Sequence, residues 1–494
     1  MESQTRAQAE RPDGRSSHDE SVRGGTRGRG ARRGAPGRAR RTRLFLHELE
    51  RLLRTAGPIV VSQLGMVGMN TVDTLMVGPL GATSLAAAAF SGAVHNTVLW
   101  ICSGVVMGMS PLVAQAFGAG DRERCRHILV QGLWLSLVFS IPLIWSSIEG
   151  EPIAHLLGQE DGVATLAGGY LWAMAFGALP MMLFTVFRQY LEGMGMTRVP
   201  MVITLFGLGL NIVGNALFIY GVEGWIPAMG VIGAGWATTL VRWGMLLATL
   251  AYLLWTPRIR PFAGVSWRPD WRLLERITRI GTPIGAQLGL ETGLFAFAAV
   301  MMGWFGAVEL AAHQVTINIA ATTFMVSLGV SIAGSIRVGQ HIGAGSRRGV
   351  HRAVVGSYLL ALGFMGVCAL LFLALPEQLI GLYTDDPTLI ELGATLLAFA
   401  AAFQLFDGAQ VSGIFVLRGA ADTKIPTILA ALGYWIIGVP LAYTLGFHTP
   451  MGPRGIWAGL AFALAVVAVL MALRVRRILW VGEVRRVEAE RAAV

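Results

Sequence analysis

Three carboxylates interrupt stretches of chain that are otherwise apolar, and each stands where it could hold a proton or a small cation. Asp407 lies in the run from Leu389 to Leu417, flanked by Gln404 and Gln410. Glu291 lies near the middle of a second run, with Gln287 one helical turn earlier on the same face. Asp73 lies toward the outer end of a third, in Asn70-Thr71-Val72-Asp73-Thr74, with Asn211 and Asn215 of a further run as candidate amide partners. About 20 apolar residues cross the hydrocarbon of a bilayer. An ionisable side chain at the centre costs roughly 2.5–3.5 kcal/mol on insertion scales, and chains that keep one there generally use it.

Two carboxylates facing each other in a low-dielectric pocket can share a proton at neutral pH. The same pair, joined by amide or backbone oxygens, offers the hard ligands that suit an alkali cation. Glu291 and Asp407 are therefore candidates for an ion-coupling site, with Na⁺ or H⁺ as the ion, Gln287 and Gln410 as neighbours and no other cofactor. Asp73, Asn211 and Asn215 make a second candidate. The competing expectation is three separate acids, each packed with its own hydrogen-bond partner. Arg242, near the middle of another run, either neutralises Asp73 as a buried pair, faces a cleft and binds anionic groups, or serves packing alone.

The elements that must position these groups are twelve apolar segments, near 55–78, 88–116, 127–149, 163–187, 199–220, 231–255, 277–302, 309–335, 351–375, 389–416, 426–446 and 454–475. An amphipathic lead-in from Leu44 to Arg54 precedes them. Hydrophobic residues make up 54% of the 494 and charged ones only 14%, against about 25% charged in an ordinary soluble domain. The chain reads as an all-α polytopic membrane protein. Its formal charge of +10 points to no nucleic-acid partner, because the arginines crowd the first 43 residues and alternate loops. Arg122, Arg124 and Arg126 follow segment 2, and Arg188 and Arg198 follow segment 4. Arg258, Arg260, Arg268 and Arg272 follow segment 6, and Arg347, Arg348 and Arg352 follow segment 8. Arg418 and Lys424 follow segment 10, and Arg476, Arg477, Arg485 and Arg486 follow segment 12. The intervening loops carry acids such as Glu149, Glu151, Glu160, Asp161, Glu223, Asp385 and Asp386. The positive-inside rule then places both termini in the cytosol. Cys102, Cys125 and Cys368 form no disulfide or metal framework, and no GxSxG, P-loop or metal-binding spacing appears, so no enzyme is expected.

The sequence also repeats. Gln115-Ala116-Phe117-Gly118-Ala119-Gly120 matches Gln340-His341-Ile342-Gly343-Ala344-Gly345. Gly78-Pro79-Leu80-Gly81 matches Gly303-Trp304-Phe305-Gly306, and Leu191-x-Gly193 with Thr197 and Pro200 matches Leu417-x-Gly419 with Thr423 and Pro426. The spacing between copies is nearly constant, which implies two six-helix lobes in the same orientation, a transporter architecture in which one lobe rocks against the other. The expected organisation is a disordered Arg/Gly-rich cytosolic tail over 1–43, a first lobe over 44–255, a cytosolic linker over 256–276, a second lobe over 277–476 and a cytosolic tail over 477–494.

From about Ala56 to Arg476 the chain resembles the multidrug and toxic-compound extrusion (MATE) family, NorM-like branch. The resemblance rests on Pro58, Gln63 and Asn70-Thr71-Val72-Asp73-Thr74-Leu75-Met76-Val77-Gly78, on Gln115, Gly118 and Gly120, and on Glu291. Phe406-Asp407-x-x-Gln410, Leu417-Arg418-Gly419 and Asp422-Thr423 complete it. It implies a V-shaped pair of six-helix lobes and an antiporter that exports organic, often cationic, compounds against Na⁺ or H⁺. It also implies that the coupling cation binds acids matching Glu291 and Asp407. Some relatives carry a Tyr one turn before the second acid, where this chain has Phe403, which takes a hydroxyl from the site. Another branch places an Asp in segment 5, where this chain has Asn211 and Asn215. The expected setting is the inner membrane of a bacterium, with small organic substrates, lipid, no nucleic acid and a monomeric state. The alternatives are a lipid-linked oligosaccharide flippase of the wider superfamily, disfavoured by twelve segments and a single central arginine, and a membrane-embedded transferase, for which no polar catalytic cluster appears.

Overall fold

Among the described residues helix is nearly the only regular structure, because an apolar stretch in lipid must satisfy its own backbone hydrogen bonds. The computed structural model describes residues 38–256, 259 and 261–480. Twelve of its helices are long and apolar enough to cross a bilayer. They are α1 Ala39–Leu80, α2 Ala82–Gly118, α3 Arg122–Ile148, α4 Asp161–Gly193, α5 Arg198–Ile219 and α6 Gly230–Trp255. The second set is α7 Trp271–Gly303, α8 Ala307–Gly343, α9 Arg347–Ala374, α10 Pro387–Gly419, α11 Lys424–Phe447 and α12 Pro453–Ile478. Among the described residues the only β pairing is an isolated bridge, Val222 to Ile226.

The bounds differ from expectation in ways that local chemistry explains. The lead-in and the first segment form one helix from Arg38, since nothing breaks the run before Pro58. Residues 38–43 of the expected tail are therefore helical; residues 1–37, Arg258, Arg260 and everything beyond Trp480, including Arg485 and Arg486, lie outside the described residues. The second segment is broken between Met107 and Met109. Pro111 cannot donate to the carbonyl four residues earlier, and its ring crowds that turn. In α4, Pro180 likewise leaves the Phe176 carbonyl without its helical donor, and the Trp243 indole N–H of α6 supplies one at 3.1 Å. Two short helices, Gly150–Leu156 and Pro376–Gly381, sit between the third and fourth span of each half. They are too short for any hydropathy pattern, and they begin at positions that the repeat makes equivalent.

Within the first half α4 packs on α2, α3 and α6, and α5 on α6; within the second, α10 packs on α8, α9 and α12, and α11 on α12. The halves meet where α2 lies along α7 and where Met109–Gly118 of α2 meets α8. Small residues allow the first contact. A Cβ on Gly104 would run into the Gly285 backbone, and one on Gly108 into the Gly281 backbone, so the two helices touch main chain to main chain. The equivalent contact repeats across the pseudo-two-fold axis, where Gly329 of α8 abuts Val60 of α1. The repeat pairs Gly104 with Gly329 and Val60 with Gly285. Around this second contact Leu52, Ala56 and Ile59 of α1 form a buried cluster with Val330, Ala333 and Ile336 of α8 and Ala361 of α9. Farther along, α1 returns to its own half, where Ser62 donates to Thr204 of α5 at 3.2 Å.

The junction before α7 is strapped to the first half. Gln131 of α3 donates to the Arg268 carbonyl at 3.1 Å and accepts from the Asp270 N–H at 2.9 Å. The Trp134 indole donates to the Trp267 carbonyl at 2.9 Å, and His127 meets Asp270 at 3.1 Å. Asp270 then caps α7 by accepting from the N–H groups of Arg272 and Leu273.

Candidate functional site

In the second half Asp407 is 4% exposed on α10. Gln410, one turn on, reaches back and donates from Nε2 to Asp407 Oδ1 at 3.1 Å. Gln410 is in turn fixed by Tyr434 of α11, whose hydroxyl donates to Oε1 at 2.5 Å. Glu291 on α7, partly exposed, lies within electrostatic range of Asp407, and Arg418 of α10 lies within range of Glu291. Each acid stands one turn from an aromatic of a contacting pair, since Phe295 follows Glu291, Phe403 precedes Asp407, and their ring centroids are 6.1 Å apart.

The other second-half candidates divide. Gln287 is buried on α7. Gln404 turns away from Asp407, donating to the Ala320 carbonyl at 3.1 Å and to Thr323 at 2.5 Å on α8. Phe403 packs in an aromatic wall against Phe295 and Trp457, with ring centroids 6.1 and 5.6 Å away. The hydroxyl missing at that position therefore does not leave the cluster without one, since Tyr434 brings one from another helix. Sequence reading missed Tyr434. Its one signal was a lone tyrosine in the apolar stretch Leu432–Val439, and spacing alone pairs it with nothing. It sits in a π-helical turn, Leu432–Gly438, just before Pro440, which cannot donate to the Ile436 carbonyl.

In the first half Asp73, partly exposed, is held by both predicted amides: Asn211 and Asn215 of α5 donate to its Oδ1 at 2.8 and 2.6 Å. The Oδ1 atoms of both asparagines are buried and accept nothing. One carboxylate and two amides thus meet at Asp73 Oδ1, with the amide N–H groups turned to the carboxylate. Arg242 of α6 is 6% exposed, lies within electrostatic range of Asp73, and forms no ion pair with it among the described residues. Its Nη1 has no hydrogen-bond partner.

The two polar clusters are not copies of one another. Under the repeat, Asp407, Gln410 and Tyr434 correspond to Met181, Phe184 and Leu208 of the first half, and Asp73 corresponds to Ala298 of the second. Duplication supplied the scaffold; each half carries its own polar site.

A family profile described as MatE matches this chain twice, over residues 58–217 and 283–444, and the two matches begin at equivalent positions, one in each half. The chain belongs to the MatE family. It is 37% identical to a probable multidrug resistance protein NorM of Bradyrhizobium diazoefficiens over 87% of this chain and 93% of that one. It is 36% identical to a multidrug resistance protein NorM of Burkholderia vietnamiensis over 85% and 92%. Among solved structures, a MATE protein in a bent conformation aligns with a TM-score of 0.81 at 22% identity, covering 91% of this chain and 99% of the other. The eukaryotic MATE transporter AtDTX14 aligns at 0.79 and 21%, covering 90% and 98%. The twelve-helix MATE fold follows, and the chain is a multi-pass protein of the bacterial inner membrane.

Proposed function

We propose that this MatE protein is a secondary active multidrug efflux antiporter that exports organic, often cationic, compounds in exchange for Na⁺ or H⁺ by alternating access. In this reading both chain ends lie in the cytosol, and the protein works as a monomer without covalent chemistry and without a nucleic-acid partner. The curated relatives named as multidrug resistance proteins support the substrate class. The observation that carries the coupling is Asp407, a carboxylate buried within a membrane-spanning helix and held there by the Gln410 amide.

Two like charges in a low-dielectric site repel, and one bound proton or Na⁺ relieves that repulsion. Binding of the ion then favours whichever state holds the two acids together, and by linkage the drug and the ion shift one another's affinity through that shared equilibrium. Asp73, whose carboxylate is held by the N–H groups of Asn211 and Asn215, would be the first-half contribution. Any Na⁺ would be held chiefly by Glu291 and Asp407.

The test is efflux of a fluorescent organic cation from everted membrane vesicles, with an imposed Na⁺ gradient compared against an imposed pH gradient. One of the two is expected to drive accumulation. If neither does so at verified protein levels, antiport is wrong.

A further inference from the structure

Asp407 is not oriented by its own helix alone. The hydrogen-bond chain runs from the Tyr434 hydroxyl to Gln410 Oε1 and from Gln410 Nε2 to Asp407 Oδ1. Each link has one sense. A phenol that donates to the amide oxygen fixes which end of the amide faces Asp407, so the carboxylate always receives an N–H. Without the phenol both amide orientations become accessible, and the one that turns Oε1 toward the carboxylate sets two acceptors against each other.

The backbone is built around this contact. Tyr434 is wholly buried, as is Gln410 at 1% exposure, and the tyrosine stands in the π-helical turn Leu432–Gly438 that interrupts α11. Such turns carry one residue more than the α-helical ladder and are frequent at functional sites. Gly433 and Gly438 lie within the turn, and a Cβ on the first would collide with Val467 and on the second with Ala463 of α12. On that side α12 therefore packs closely on the turn. The equivalent stretch of the first half, in α5, is plain α-helix with Leu208 at the tyrosine's position.

We propose that Tyr434, acting through Gln410, is a positioning residue that presets the Asp407 carboxylate for the coupling ion; this rests on the antiport reading above. Oδ1 is engaged by the amide, which leaves Oδ2 and the nearby Glu291 to meet the ion. Beside the neighbouring Gly408 stand Ser327 of α8 and Met365 of α9. Preorganisation of this kind lowers the cost of binding without adding a contact to the ion.

The experiment is efflux from everted vesicles for wild type, Tyr434→Phe, Gln410→Leu and the double variant. Drug and ion dependences are measured separately: NaCl is varied against choline chloride at fixed pH, and the imposed pH step is varied at fixed Na⁺. Tyr434→Phe is expected to raise the ion level needed for half-maximal efflux by about threefold to tenfold, with the maximal rate and the drug concentration for half-saturation within twofold of wild type. Gln410→Leu should shift the ion requirement the same way, and the double variant should shift it no further, since both act on one chain. An unchanged ion requirement in Tyr434→Phe, or shifts that add in the double variant, overturns the proposal. Should Tyr434→Phe fail to accumulate, Gln410→Leu decides: an ion requirement like that of wild type sinks the relay. Wild type that responds to neither ion sinks the antiport reading itself, a result distinct from an ion-driven wild type matched by its variants.

Discussion

Gln115 and Gln340 make the same hydrogen bond on opposite sides of the internal pseudo-two-fold axis. Gln115 Nε2 of α2 donates to the Gly419 carbonyl of α10 at 3.0 Å, and Gln340 Nε2 of α8 donates to the Gly193 carbonyl of α4 at 3.2 Å. Each amide therefore reaches from one half to the last turn of a helix in the other. Between them the backbones are in contact, since a Cβ on Gly118 would strike Gln340 and one on Gly343 would strike Gln115. The repeated Gln-x-x-Gly motif is thus a closure: its two copies shut the basic-loop end of the molecule by gripping each other's half.

Asp407→Asn removes the charge while keeping the shape and the Gln410 contact. Drug efflux in everted vesicles is expected to fall to the level of empty membranes, with membrane protein levels unchanged on a quantitative blot. Efflux at the wild-type rate with matched expression would remove Asp407 from the coupling site.

Gly281→Leu places a side chain where α7 meets the Val105 backbone of α2. The helices cannot give way there without separating the halves, and overpacking of this kind costs about 1–3 kcal/mol or more. Purified Gly281→Leu should unfold at lower temperature in detergent and lose efflux. Gly57→Leu, on the same type of helix but with open space around its Cβ, serves as the control and should leave unfolding within a degree of wild type.

Glu48 of α1 holds Arg337 of α8 through two hydrogen bonds at 2.8 and 2.9 Å and His341 through a third at 3.0 Å. Both side chains of the pair are mostly buried, at 6% and 12% exposure, and Arg337 also donates to Gln340 at 3.0 Å, so the ion pair steadies the glutamine closure. Removing one partner leaves a stranded charge, a loss of about 3–5 kcal/mol, whereas removing both is far milder. Glu48→Leu should lower the unfolding temperature more than Glu48→Leu with Arg337→Leu does. The reverse order would show that the pair contributes through packing alone.

Asp270 gives a pH dependence with a definite sign. The hydrogen bond from His127, and then those from the backbone N–H groups of Leu273 and Arg272, hold its carboxyl below the usual range. A carboxyl lowered on folding stabilises fully above its unfolded value, near about 3.9, and loses that contribution as the pH falls through the native value. Asp270→Ala removes a helix cap, at about 0.5–2 kcal/mol, and exposure of the site argues for the low end. The gap in unfolding temperature between wild type and Asp270→Ala should be present at pH 7 and should close under acid. A gap that stays constant down to pH 3 would mean that the carboxylate is not its source.

Where a feature of this fold was legible, the reason is local. Hydropathy delivers the twelve helices because each must satisfy its backbone within lipid, and the repeat is visible because Gln115 and Gln340 need the same neighbours in each half. Gln410 was found beside Asp407 because one turn of helix brings them together, and Asn211 and Asn215 were found because two amides one turn apart on α5 share a face. Tyr434 was not, since a π-helical turn shifts its direction by an amount no period encodes. Glu48 was read as part of a surface lead-in, and its partner Arg337 comes from the other half, far along the chain. The break after Met107 and the short helices Gly150–Leu156 and Pro376–Gly381 fall below the length at which an apolar period can be recognised.

The strap on α3 changes what the covalent connection between the halves has to do. Gln131, Trp134 and His127 grip residues 267–270, and Asp270 is at once the end of that grip and the cap of α7. The second half is therefore tied to the first at Asp270 with almost no slack, and Ile259 and Phe262 upstream of Trp267 pack on the first-half core. A chain cut in the loop upstream of Trp267 would still have α7 registered on α3 by four non-covalent bonds, so the start of the second half is held by hydrogen bonds as well as by the peptide chain.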